Sequence, residues 1–311
     1  NYLNDIGIAL NQAFNFKYKQ QLNINARLDF YNQYASKGIG SKQWKVYNTD
    51  ITNTKNDLLK NINLAYNKRF KETITAQLSI GYGERIPTSN ERYGFYLYNR
   101  QDQFDYIGNI KLKPEQSYQM ELVFRQQLKK IEYSVNVFSH HIKNYIYSYQ
   151  LIGYSQMTIG AYGLKTYKNI DFAVSRGFET NVKCSLTDKI TYILGTKYIY
   201  AHTSTGTPLP LIPPFKLQHT LRYKYKQFLF QFEHDYASTQ KRINVDYGDK
   251  VTSYFNLYNF RASRNFKIKS TVLQATIACE NILDNNYREH LDIGGVPRFG
   301  RNFLINLSYI F

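Results

Sequence analysis

From Gln21 to Phe30 apolar and polar residues alternate without a break: Leu22, Ile24, Ala26, Leu28 and Phe30 against Gln21, Asn23, Asn25, Arg27 and Asp29. A strand turns successive side chains to opposite faces, so this period of two predicts a strand with one apolar and one polar face. The parity recurs along the chain. Ile74, Leu78 and Tyr82 alternate with Thr75, Gln77 and Ser79; Leu122 and Phe124 with Glu121 and Arg125; Phe230 and Phe232 with Gln231 and Glu233. It ends with Phe303, Ile305, Leu307, Tyr309 and Phe311. Thirteen strands follow from it, at 2–15, 20–32, 58–69, 73–84, 115–127, 131–142, 168–184, 190–202, 216–225, 228–238, 253–265, 271–281 and 302–311.

Most of these strands reach the length that crosses a bilayer when tilted, about 9–11 residues. Strands of a soluble sandwich are shorter, about 5–6 residues. The connectors alternate in length. Short ones lie at 16–19, 70–72, 128–130, 185–189, 226–227 and 266–270; long ones at 33–57, 85–114, 143–167, 203–215, 239–252 and 282–301. That alternation is the topology of an outer-membrane barrel, with tight periplasmic turns and long external loops. The fold class predicted is all-β, an antiparallel transmembrane β-barrel. Two alternatives remain from the residues alone: a passive porin of 12 to 14 strands, and a soluble β-sandwich binding module, which also alternates.

Composition sharpens this picture. Aromatic residues make up 16% of 311 residues, 30 of them Tyr, which argues against disorder. Mean hydropathy is −0.51, and a barrel with a polar lumen face keeps that average modest. Two cysteines exclude a disulfide scaffold or a Cys-rich metal domain. The balance of 40 basic and 23 acidic residues gives +17. Some cations flank short turns, such as Lys129 and Lys130, where solvation explains them. Others lie in long loops, among them Arg100, Lys241, Arg242, Arg288 and Arg298, where they suit lipopolysaccharide phosphates or an anionic chelate. No nucleic-acid-binding motif accompanies the charge, so no nucleic-acid partner is expected. No GxSxG motif occurs, and His140 and His141 point to opposite faces of one strand and cannot share a metal. Parity sends His140 to the lumen. The chain is not expected to be an enzyme, to bind a metal of its own or to need a cofactor.

Several segments carry a family resemblance. YIGNIKLKPEQSYQMELVF (106–124) is similar to a "GNP-x-LKPE" pattern, with Ile110 in place of Pro. ENILDNNYREHL (280–291) resembles "NLFDKxYxxH", and PRFGRNFLINLSYIF (297–311) a closing "PGRxxxxxxxYxF". GYGERIPTSNERYGFYLYN (81–99), RGFET (176–180) and TPLPLIPPFKLQHTLRY (207–223) fit in the same order. Together they resemble the C-terminal half of a TonB-dependent outer-membrane receptor across roughly residues 70–311.

The resemblance implies a barrel of about 22 strands around an N-terminal plug. Residues 1–311 are then the last thirteen strands, with plug and signal peptide expected to lie outside the chain. It also implies a Gram-negative outer-membrane location and uptake of a siderophore-iron, haem, cobalamin or other metal complex. The TonB energy-transducing complex would act as partner through the missing N-terminal region. Pro114, Glu115, Asn281, Tyr287, Gly300, Arg301 and Phe311 carry the family motifs. The longest connector, 85–114, is expected to line an external ligand vestibule with Arg85, Arg92, Tyr93, Tyr96 and Tyr98, joined by His140. Arg85 has a structural alternative, pairing with Glu115 or Glu121 on the next strand.

Overall fold

A computed structural model describes residues 2–35, 54–268 and 271–310. The first four long strands are β1 (Tyr2–Phe16), β2 (Gln20–Tyr34), β3 (Thr54–Lys71) and β4 (Ile74–Arg85). A one-turn helix α1 (Ser89–Tyr93) and a small hairpin, β5 (Leu97–Asn99) and β6 (Phe104–Ile107), follow. Then come β7 (Glu115–Gln127), β8 (Ile131–Leu151), β9 (Leu164–Ser185), β10 (Ile190–Thr203), β11 (Lys216–Tyr225) and β12 (Phe228–Ala237). The last three are β13 (Phe255–Ile268), β14 (Thr271–Glu280) and β15 (Asn302–Ile310).

The thirteen long strands pair antiparallel in chain order, as one continuous sheet rather than the two packed sheets of a sandwich. β1 and β15 are its two ends, and among the described residues nothing joins them. The hairpin stands off this path: β6 pairs parallel with the start of β9.

The predicted parity sets the faces. Leu28 and Phe30 are exposed while Asp29 between them is buried, held by Arg27 Nε at 2.7 Å. Leu122, Phe232, Ile305 and Leu307 are exposed. On the opposite face Glu121 accepts from Asn136 at 2.7 Å, Glu179 pairs with Lys197 at 2.6 Å, and Arg222 donates to Gln231 at 2.7 Å. An apolar outer face and a polar, cross-linked inner face are what a membrane wall around an aqueous lumen requires.

Three strands differ from the predicted bounds. β3 begins at Thr54 rather than 58, β8 runs to Leu151 rather than 142, and β9 begins at Leu164 rather than 168. At the start of β9, Leu164, Lys165 and Thr166 are buried in succession, so both faces are covered and alternation is lost while pairing continues. At the start of β3 burial still alternates, but residues 54–57 are all polar, so the sequence shows no period of two there. Asn144 takes φ 52° and interrupts the ladder at one rung, yet the register resumes at Tyr145 against Ile170. The connector 143–167 therefore shortens to 152–163. The connector 85–114 contains α1 and the hairpin, and Phe311, part of the closing motif, lies outside the described residues.

The buried apolar residues gather in the same outer region. One cluster joins Ile107, Ile110 and Leu164; a second Ala173, Ala201 and Leu209; a third Ala237, Phe255 and Leu257, with Tyr287 against it. A single-layer sheet has no interior of its own, so its dry cores form where loops fold back over strand ends.

Candidate functional site: the cap formed by the outer loops

The connector after β4 is organised from its first residues. Thr88 caps α1: its hydroxyl accepts from Glu91 N at 3.2 Å, and Glu91 accepts from Thr88 N at 2.7 Å. This reciprocal box satisfies two of the helix's free N–H groups. Glu91 also reaches Arg85 Nη1 at 2.9 Å, while Arg85 Nε donates to Glu115 at 2.7 Å. Glu115 is buried, and its other oxygen accepts from Ile146 N at 2.8 Å. Arg85 thus forks between two carboxylates at the mouth of β4 and β7 and stays about half exposed.

Arg92 is 0% exposed. Its Nη1 donates to Gln33 at 2.7 Å and pairs with Asp57, while Gln33 Nε2 donates to Pro87 O at 3.0 Å. The guanidinium therefore ties α1 to the outer ends of β2 and β3. Tyr93 is partly buried beside the Ile107 cluster, where burial raises its hydroxyl pKa. Tyr96 packs against the same cluster and donates to Ser155 O at 3.2 Å; Tyr98 is exposed. His140 lies on the inner face, level with Gln119 and Ser175, against the Phe138 ring at 5.5 Å. Its partner Gln119 lies four residues along β7 from Glu115, so His140 sits below the loop residues rather than among them. His219 and His234 stack at 5.4 Å on the outer face, sharing parity with Leu221 and Phe232.

The centre of the cap is a set of residues that the sequence did not single out. Lys165 and Asp102 form an ion pair at 2.7 Å with 4% and 2% of their side chains exposed. Tyr106 donates to the same Asp102 oxygen at 2.6 Å, and the Phe104 ring covers the ammonium at 4.1 Å. Lys165 also donates to Asp246 O, and Tyr247 accepts from Ser148 N at 2.7 Å. Burial raises the Tyr247 hydroxyl pKa. Asp105, wholly buried, accepts from Met157 N and Thr158 N, both at 2.8 Å. The connectors 86–114, 152–163 and 238–254 are thereby tied together over the outer ends of β8 and β9.

The two late motifs meet in one knot. Asn281, buried, accepts from Asn285 N at 2.9 Å and donates to Asn285 O at 2.9 Å. Asp284 accepts from Arg301 N at 2.7 Å, and Arg301 Nε donates to Ile282 O at 2.8 Å. A side chain at Gly300 would meet Asp284 Oδ1 at 2.4 Å, so a larger residue would have to displace the carboxylate that accepts from Arg301 N. Tyr287 packs against Phe255 with the ring centroids 4.8 Å apart and the planes tilted by 53°. Pro114 immediately precedes β7, outside the ladder that it could not join. Below the knot, on the inner wall, lies a cleft of about 690 Å³ lined by Lys197, Lys216, Asp235, Glu280 and Arg298 among others.

The family described as TonB dependent receptor-like, beta-barrel matches residues 4–282. Among solved structures, the copper transporter OprC superposes with a TM-score of 0.80 at 18% identity, over 99% of this chain and 48% of the other. The siderophore receptor PirA from Acinetobacter baumannii gives 0.67 at 14%, over 99% and 55%. A mutant of the ferric enterobactin receptor PfeA from Pseudomonas aeruginosa gives 0.65 at 16%, over 99% and 54%. The chain spans about half the length of these structures. No curated protein matches it in sequence. With the family matched along nearly its whole length and the strand ladder of the barrel in place, this chain belongs to the TonB-dependent receptor β-barrel family.

Proposed function

We propose that this chain is the C-terminal part of the barrel of a Gram-negative outer-membrane receptor that takes up a scarce nutrient with energy supplied through TonB. The observation that carries the reading is the family match over residues 4–282. Solved structures with this fold include a copper transporter, a siderophore receptor and a ferric enterobactin receptor. On that basis the cargo is a metal ion or metal complex, bound outside and released inward without a bond being made or broken. TonB would act through a plug, contributed by chain beyond these residues.

The cap suits the role of vestibule wall. Tyr98 and the half-exposed Arg85 offer a hydroxyl and a guanidinium at the mouth, and Tyr96 anchors the hairpin's neighbour loop. Arg92 braces this wall from behind, and His140 lies deeper in the lumen. Around the rim, Lys143 over Tyr118 and Arg242 over Tyr200 leave cations at the outer edge, suited to lipopolysaccharide phosphates.

Uptake of labelled copper, ferric siderophores, haem and cobalamin by cells carrying the whole receptor tests the reading. Transport of one of these that stops when TonB is removed is the expected result. Ion conductance and solute entry that ignore TonB would replace the receptor with a passive porin. Arg85→Ala in the whole receptor isolates the vestibule: unchanged ligand affinity and uptake would leave Arg85 a purely structural clamp.

A further inference from the structure

The turn ends of the last five strands carry an uneven charge. Residues 214–232, 262–279 and 303–311 contain no Asp or Glu, yet Arg222, Lys224, Lys226, Arg264 and Lys267 lie among them. Elsewhere at this end of the sheet cations meet carboxylates: Lys19 and Arg69 pair with Glu72, and Lys183 with Glu132 at 3.3 Å. Arg264 and Lys226 are exposed and make no side-chain hydrogen bond or ion pair among the described residues.

Arg264 faces outward. It shares a rung with Phe228 on β12 and Ala275 on β14, and the next outward rung holds Phe230, Ala262 and Ile277. Its guanidinium lies 4.9 Å from the centre of the Phe228 ring and 4.6 Å from that of Phe266. Lys226, in the turn between β11 and β12, lies 5.6 Å from the Tyr225 ring. Tyr225 and Phe228 are directly opposite each other where this hairpin closes, so the two cations flank one cross-strand pair. From that pair the rings continue as one surface: Tyr225 to Tyr223 at 6.4 Å, Tyr223 to Phe230 at 6.3 Å and Phe230 to Phe228 at 5.9 Å, all within 20° of parallel.

A cation on the lipid face of a barrel is unfavourable to a degree that grows with its depth. Aromatic faces beside it offset part of that cost, but they leave the N–H donors of the guanidinium unused. Phe228 is the first residue of β12, so the rung of Arg264 is level with a turn, at the membrane boundary. The acceptor that a bilayer offers there is the phosphodiester of a phospholipid, which a guanidinium binds with two parallel hydrogen bonds. Two unpaired cations also favour a headgroup of net negative charge over one whose own ammonium they would repel.

We propose that the outward face of β11–β13 at its turn end binds one anionic glycerophospholipid of the phosphatidylglycerol class. The phosphate sits on Arg264 and Lys226, and an acyl chain lies along Phe228, Phe230 and Tyr223. The inference rests on the receptor reading for the leaflet concerned, the periplasmic one.

The test places a reporter on this wall, Tyr223→Trp, in the complete receptor reconstituted in phosphatidylcholine bilayers. Quenching of the added tryptophan by brominated phosphatidylglycerol and by brominated phosphatidylethanolamine is compared, with the receptor lacking the reporter as baseline. The anionic lipid is expected to bind at least fivefold more tightly. The preference should fall to about one in Arg264→Gln/Lys226→Gln and persist in Arg264→Lys, which keeps the charge. It should also persist in Lys129→Gln/Lys130→Gln, an equal charge change at another turn. Equal quenching by the two lipids, or a preference that survives loss of Arg264 and Lys226, would overturn the site. Displacement of brominated phosphatidylglycerol by purified lipopolysaccharide would give the wall to the outer-leaflet glycolipid and overturn the assignment to a phospholipid. TonB-dependent uptake, measured in parallel, separates the two readings: its absence strikes the receptor reading, whereas absent lipid preference with uptake intact strikes only this site.

Discussion

Lys165 and Asp102 show how much of the cap depends on single side chains. A buried pair gains little over a well-packed apolar alternative, but removing one member strands the other charge, at a cost of about 3–5 kcal/mol. Lys165→Met is therefore expected to free the hairpin β5–β6 from β9 rather than unfold the strand wall. Hydrogen exchange would read this as faster exchange across 97–107 with β10–β12 unchanged; protection equal to wild type would refute it. The pair was not legible in the sequence, because its members lie 63 residues apart and meet only through docking of separate loops. The Thr88–Glu91 capping box, by contrast, is written in four consecutive residues, TSNE. Arg92 shows a third case. Its loop position suggested contact with a ligand, whereas its partners Gln33 and Asp57 come from strands more than thirty residues upstream.

At the scale of elements, the loops act as one body because they touch at points that tolerate no extra atom. Gly248 has φ 79°, and a side chain there would meet Gln101 O at 2.2 Å. Gly248→Ala incurs roughly 1–2 kcal/mol for a left-handed residue before the backbone clash. It is expected to part the 238–254 connector from the connector after β4, seen as new protease cleavage near 245–250. Intact resistance would show that the contact is dispensable.

The 281–301 connector carries a pH dependence. Burial lowers the His290 pKa from its usual 6.5, with Asp249 opposing and Arg288 adding to the shift. Its Nδ1 lies 3.0 Å from Thr252 Oγ1. The neutral ring is the form that the folded loop favours. As pH falls below about 6.5 the unfolded loop takes up the proton first, and the folded loop loses stability until its own pKa is passed. Proteolysis of this connector should therefore accelerate between pH 7.5 and 5, and His290→Gln should flatten the profile; a profile unchanged by that substitution would contradict the assignment. Strand positions and faces were legible here because lipid on one side and water on the other impose a period of two. The extensions of β8 and β9 were not, because above the membrane no such contrast exists.

For the whole molecule, the outermost strands behave differently from the rest. Ile8 on β1 and Ile305 on β15 are 78% and 80% exposed, whereas Leu122 and Phe232 within the sheet, on the same outward face, are 48% and 42% exposed. The difference is the missing neighbour on one side. The same absence leaves a row of N–H and C=O groups along each edge, and in hydrocarbon each unsatisfied group costs several kcal/mol. Two outcomes remove that cost: β1 and β15 pair with further strands of a larger barrel, or they bend round and pair with each other. The superposition on solved barrels roughly twice this length favours the first. Residues 1–311 alone, directed to the outer membrane, are therefore expected to aggregate or be degraded. The complete receptor should run as a folded, heat-modifiable monomer on a gel. A heat-modifiable monomer of residues 1–311 that conducts ions in planar bilayers would mean instead that thirteen strands close on themselves, and the passive pore would become the better reading.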